Sequence, residues 1–316
     1  ARGGRVRLLK GLWLSAAAMV LLVAAVWLVS WAMETPKAER DALALVDAPP
    51  AHGERDGFAD LWTVSYDVPP AERRRVLDED VRHFAGLQAQ YQPTQGGTHA
   101  WRSAREDWPR LDEARGRDPA WCTSRETGCL ERVRAAPDDY AGLLEQHALQ
   151  LERAAALSEF DHFRNPFPPR YDVPLPEFQA LTRLSTRAAW RFVHGDTDEA
   201  LADACAGVSQ GRTLIDAGDS LIGSMIGTAM VEGNATLLAE MLAELPRDHP
   251  LPAHCDTAFA RPPDLAGGVC RTMLAEGRLA TGAMRNHMTT EGLAAELASQ
   301  GLPAWSARLF FDPERT

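Results

Sequence analysis

From Gly11 to Met33 the chain carries no charged side chain. As a helix this stretch would run roughly 34 Å at about 1.5 Å per residue, enough to cross a hydrocarbon core about 30 Å thick. Arg2, Arg5, Arg7 and Lys10 precede it and Glu34 follows it. The stretch has no polar face, unlike most core helices. A cleaved signal peptide has an apolar region of about 7–15 residues and ends in a small-x-small site. This one is longer and ends in Trp31-Ala32-Met33-Glu34. The pattern therefore predicts a single transmembrane helix at 11–33, an uncleaved signal anchor, preceded by a tail at 1–10. The basic residues before it put that tail in the cytoplasm and everything after Met33 on the exported side. Trp13, Trp27 and Trp31 lie near the two ends, at the level where indole rings meet headgroups.

Beyond the anchor the pattern changes to helical stripes separated by proline. Lys37 to Val46 reads as a helix that Pro49-Pro50 ends, and 48–70 reads as irregular with one apolar knot at Phe58, Leu61, Trp62 and Val64. Residues 34–70 are thus a juxtamembrane helix and connector, and 71–316 an exported domain. Leu77, Val81, Phe84, Leu87 and Tyr91 share one face of a helix from Ala71. Residues 92–119 are polar, with Trp101 and Trp108 as anchors. A further helix starts at Pro137 and runs through Tyr140, Leu143, Leu144, His147, Leu151 and Ala154. His147 lies on its apolar stripe, where a hydrogen-bonded core histidine is the expectation.

Phe160 to Phe178 breaks the periodicity with Pro166, Pro168, Pro169, Pro174 and Pro176. Its aromatics predict a strap across the core; the alternative is an interaction surface made by Phe160, Phe163, Phe167 and Tyr171. Helical stripes then resume from Phe178 to Phe192, Leu201 to Ile215 and Leu221 to Leu245. Strand signals are scarce. The expected fold is all-α, built from antiparallel hairpins with long irregular Pro/aromatic loops.

The junction His194-Gly195-Asp196, leading to Glu199-Ala200-Leu201, resembles one hairpin of the tetratricopeptide repeats. The resemblance covers about 35 residues, with no second copy at the repeat period of about 34. It implies antiparallel packing of two helices and no repeat array.

The net charge of −11 is uneven. The first 33 residues hold bases and no acid, which leaves the exported part near −15. Such a surface disfavours nucleic acid and anionic headgroups as partners. Lys10 and Lys37 are the only lysines among 33 basic residues. That bias, with abundant alanine, points to a high-GC bacterial genome, and so to a periplasm as the exported side. The first residue is not Met, and an apolar stretch, Trp305 to Phe311, lies just before the last residue, which suggests trimmed termini.

All five cysteines follow the anchor and can meet an oxidising compartment. Cys255 and Cys270 flank Arg261-Pro262-Pro263 almost symmetrically, so a helical hairpin turning there would pair them. Cys122 and Cys129 can pair if the chain folds back between them, because on one straight helix they would stand about 10.5 Å apart. Cys205, on an apolar helix face, is left as a buried free thiol. No Cys-x-x-Cys spacing occurs, and neither His249, His254, Cys255 and Asp256 nor any other set has standard metal-ligand spacing. No cofactor is implied.

Gly218-Asp219-Ser220-Leu221 resembles the signature of the GDSL-type esterases, in which the serine is the nucleophile and a later Asp-x-x-His completes the triad. Here the resemblance covers four residues, lies between helices, and is preceded rather than followed by its one Asp-x-x-His, Asp80 to His83. A helix cap is the simpler role for Ser220. The Gly223/Gly227 pair fits close approach of a neighbouring helix. Carboxylates cluster at Glu106-Asp107, Asp138-Asp139 and Glu159/Asp161, but acid–base chemistry needs a spatial pair in a cleft.

The functional expectation is therefore a single-pass inner-membrane protein with a periplasmic helical domain. It would act by binding another envelope protein, as a scaffold, accessory subunit or inhibitor. The alternative is an envelope hydrolase using Ser220 or a carboxylate pair.

Overall fold

The computed structural model describes residues 2–32, 36–48, 53–88, 101–111, 119–123, 127–170, 172–217, 219–260, 265–287, 290–301 and 303. The chain divides into two compact units, Ala1–Ala48 and Pro49–Thr316. The first contains α1 (Arg2–Ala32) and α2 (Lys37–Asp47). Trp13, Leu14 and Met19 to Val23 on α1 are exposed. Its apolar run Trp13–Val29 is shorter than a membrane span needs. The described helix that is long and apolar enough to cross a membrane is instead Leu221–Ala243, in the second unit. That helix buries Gly227, Met230, Leu237, Leu238 and Met241, as a core helix does.

The second unit is helical. Among its described residues no strand forms, and extended backbone meets only in isolated bridges, Asp56 with His162 and Tyr66 with Arg110. Its helices are α3 (Phe58–Trp62), α4 (Pro70–Gln88), α5 (Cys129–Ala135), α6 (Pro137–Gln146), α7 (Ala148–Ala156), α8 (Gln179–Thr182) and α9 (Leu184–Val193). They continue as α10 (Thr197–Ala217), α11 (Leu221–Ala243), α12 (Ala253–Phe259), α13 (Leu265–His287) and α14 (Thr290–Ser299).

The helix expected from Pro137 onward is two helices, α6 and α7, with His147 between them. His147 is buried, its Nδ1 is 3.2 Å from Leu111 O, and its ring meets Trp121 edge-on. The apolar knot read as part of a connector forms α3 and belongs to the core: Phe58, Leu61, Trp62 and Val64 are all buried.

At the α9–α10 turn Gly195 has φ of 90°, a left-handed conformation that glycine takes without a Cβ clash. Gly195 N donates to Phe192 O and Asp196 N to Arg191 O, closing the end of α9 in the Schellman pattern. Arg187 then grips Asp203 through two nitrogens, at 3.0 and 2.8 Å, and Arg191 adds a third bond at 2.7 Å. α10 and α11 touch backbone to backbone. A Cβ on Gly211 would fall 2.6 Å from Gly227 O, and one on Gly207 would fall 2.5 Å from the Asn234 side chain. Gly227 therefore serves close helix packing, as expected. Its partner is Gly211 of α10, while the space at Gly223 is closed by Ser220 Oγ of its own helix cap.

Cys122 is joined to Cys129 across the start of α5, where Gly128 at φ 80° turns the chain back. The expected Cys255–Cys270 pair does not form. Cys255 is joined to Cys205, with their Cα atoms 5.1 Å apart, and Cys270 is a free, exposed thiol. The reason is the face on which α12 docks. Its buried side, Cys255 and Ala258, lies in the cluster with Leu201, Ala204, Cys205 and Val208 of α10. Cys270 sits on the outward side of α13, next to exposed Val269. The proline turn invoked for the other pairing, 261–264, lies outside the described residues.

Candidate functional site

Residues 160–178 form a strap, and its aromatics point inward. Phe163, Phe167 and Phe178 are buried and Phe160 is packed against the same cluster. Phe167 lies 4.9 Å from the Trp62 ring and 5.6 Å from Phe84, centroid to centroid. This corrects the interaction surface considered for Phe160, Phe163 and Phe167: burial of apolar area outweighs exposure, and the rings are core. Tyr171 lies outside the described residues.

The strap is pinned by carboxylates. Asp161 accepts from Glu54 N at 3.0 Å, Arg55 N at 3.1 Å and His162 Nδ1 at 2.7 Å. Its carboxyl is held below the usual range, chiefly by the hydrogen bond from His162. Asp56 Oδ1 accepts from Arg164 N, and Asn165 Oδ1 accepts from Phe167 N, so the backbone turns sharply toward α11. At the far side Gly282 of α13 runs against Pro169.

A cavity of about 210 Å³ opens where strap, α10–α11 junction and α13 meet. Asp219 and Ser220 form one wall, Arg164 and Asn165 a second, and Arg278 and Leu279 of α13 a third. Phe167, Val173 and Leu175 supply apolar surface. A second hollow, beside the Cys122–Cys129 bridge, has only about 30 Å³.

Asp219 is the chemically distinctive group here. Its Oδ2 accepts from Asn165 N at 2.6 Å. Its carboxyl is nevertheless pushed up to about 6, because burial disfavours the charged form more than the Asn165 N–H and nearby Arg164 favour it. The folded chain therefore holds this proton more tightly than the unfolded one. The stability linked to it is fully present below about 3.8 and is lost as pH rises through about 6. A rise of this size corresponds to on the order of 3 kcal/mol. Asp219→Asn keeps an oxygen for Asn165 N and removes the titration. Its unfolding free energy relative to the parent is expected to improve by about 2–3 kcal/mol between pH 4 and pH 7.5. Urea unfolding of the full chain in detergent at the two pH values reads this difference. A variant-to-parent gap that stays constant with pH would contradict it.

Ser220 does not have the surroundings of a nucleophile. It stands at the N-cap of α11 with φ −162° and ψ 154°, and its Oγ accepts from Gly223 N at 2.9 Å. That is the capping role, and it removes the esterase reading of the four-residue motif. Asp80 of the upstream Asp-x-x-His is also structural, buried and bonded to Trp62, Ser103 and Ala104. Nor do the other carboxylate clusters reach the cavity. Glu106 closes a capping box with Ser103, Asp107 pairs with Arg102, and Asp138 and Asp139 sit in the first turn of α6. Of the His249–Asp256 set, Cys255 is in its disulfide and His254 Nε2 lies 2.9 Å from Ala202 O. Among the described residues no three His, Cys, Asp or Glu side chains gather as a metal site would require.

Comparison with protein-family models, with curated proteins and with solved structures gives no match for this chain.

A second feature is an apolar face on α11 and α13. Ser224 Oγ and Thr272 Oγ1 meet at 2.8 Å, and Leu221 N donates to Glu276 Oε1 at 2.7 Å, so the two helices run antiparallel side by side. Beside those contacts Met225 is 63% exposed, Val269 64% and Met273 50%. Ile222 and Met284 extend the exposed set. Sequence periodicity missed this face, because the doublets of α11 read as buried all round.

Proposed function

We propose that this is a single-pass inner-membrane protein whose helical domain lies in the periplasm and acts by binding another envelope protein. The uncharged stretch from Gly11 to Met33, with its basic residues on the N-terminal side, supports the anchor and its orientation. Two disulfides suit an oxidising compartment. The TPR-like α9–α10 hairpin is, in this reading, a packing unit of the scaffold.

The observation that carries the binding role is the exposed α11–α13 face. Exposed methionines and branched aliphatics beside one helix–helix seam are the composition of an adaptable protein-docking surface. The partner surface is apolar, in keeping with the residues offered to it. A photo-crosslinking amino acid placed at Met225 or Met273, in cells expressing the full chain, is expected to give a discrete heavier adduct. The same group at Arg74, exposed on α4, should give none. Equal labelling from all three positions, or an adduct containing two copies of this chain and nothing else, would refute the reading.

A further inference from the structure

We propose that the cavity between the strap, the α10–α11 junction and α13 binds a free α-amino acid with an aliphatic side chain. The inference is independent of the docking role proposed above. It starts from the charges on the wall. Asp219 faces the space from one side, and Arg164 and Arg278 line it from the strap and from α13. Asp219 uses Oδ2 to accept from Asn165 N, and among the described residues its Oδ1 makes no hydrogen bond. That oxygen suits an N–H⁺ donor. Guanidinium groups suit a carboxylate.

A ligand carrying one sign only would satisfy half of this wall and oppose the other half. An anion would meet Asp219; a simple amine would meet two arginines. A molecule with ammonium and carboxylate on one carbon answers both. The remaining surface, Phe167, Val173, Leu175 and Leu279, is apolar and takes an aliphatic side chain. Size agrees: about 210 Å³ is below the roughly 300 Å³ at which drug-sized pockets begin. The upward shift of the Asp219 carboxyl is in keeping with this role, since a buried acid that weakens the fold at neutral pH is stabilised once a cation sits against it.

The site is tested by calorimetric titration of the full chain in detergent with L-leucine, L-leucinamide and N-acetyl-L-leucine. L-leucine is expected to bind saturably. Leucinamide, without the carboxylate, and N-acetyl-leucine, without the ammonium, should each bind at least about tenfold more weakly, the scale of one lost charge-assisted hydrogen bond. Asp219→Asn should weaken L-leucine by a similar factor and abolish its advantage over N-acetyl-leucine. Arg278→Gln should abolish its advantage over leucinamide. The unfolding transition of each variant establishes that it is folded. Absence of saturable L-leucine binding at millimolar concentration overturns the proposal. So does equal binding of either blocked analogue, which would mark a carboxylate site or an amine site instead, or unchanged L-leucine affinity in both variants.

Discussion

Replacing Cys205 and Cys255 together by serine is expected to lower the unfolding free energy by about 4 kcal/mol. The bridge closes a separation of 50 residues, and cross-linking a loop of that length removes roughly this much chain entropy from the unfolded state. The Cys122–Cys129 bridge closes a separation of 7 and should contribute only about 2 kcal/mol by the same relation. Position adds to the difference. Cys205 and Cys255 are buried against Leu201, Val208, Met241 and Ala258, so the serine hydroxyls would also lack partners. Cys270→Ser touches neither bridge and should be close to neutral. Urea unfolding of the full chain in detergent, without reductant, gives all three values. A loss under about 1 kcal/mol for the double variant, or non-reducing mass spectrometry that links Cys255 to Cys270, would show the bridge to be misassigned.

That pairing also marks where sequence reading stops. The α9–α10 turn was legible because its chemistry is local: Gly195 and Asp196 terminate one helix and lead into the next whatever the tertiary fold. The strap was legible too, since five prolines forbid a helix and apolar rings between them must bury. Cys255 was not, because its partner depends on which face of a seven-residue helix meets α10, and symmetry about a proline turn says nothing of that. The cavity was hidden for the same reason. Asp219 and Ser220 stood out as a motif, but Arg164 comes from the strap and Arg278 from the middle of α13. Two signals were present and unread. Gly207 and Gly211 repeat on α10 the spacing noticed on α11. Asp80 falls between Leu77 and Phe84 on the buried stripe of α4, where an acid must have donors waiting for it.

Those donors make Asp80→Ala the second large effect, expected to cost on the order of 4 kcal/mol. Asp80 is 1% exposed. Oδ2 accepts from Trp62 Nε1 at 2.7 Å and from Ser103 Oγ at 2.5 Å, and Oδ1 accepts from Ala104 N at 2.6 Å. One side chain thus ties α4 to α3 and to the 3₁₀ turn Ala104–Asp107. Alanine leaves three donors without a partner, each costing about 1–3 kcal/mol if it stays dry, and opens a small void besides. Asparagine fills the space but turns an N–H₂ toward groups that are themselves donors, so Asp80→Asn should lose about half as much. The effect should also reach the strap. Trp62 packs against Phe167 at 4.9 Å, and Arg105 covers its other surroundings at 3.9 Å from the ring while donating to Trp62 O. A Trp62 released from Asp80 no longer fixes Phe167, a wall of the cavity, so limited proteolysis between 160 and 178 should quicken in Asp80→Ala. In a double-mutant cycle with Trp62→Phe the pair should couple by about 1–2 kcal/mol. Additive losses, or a cost for alanine below about 1 kcal/mol, would mean that the buried carboxylate does not organise this end of the core.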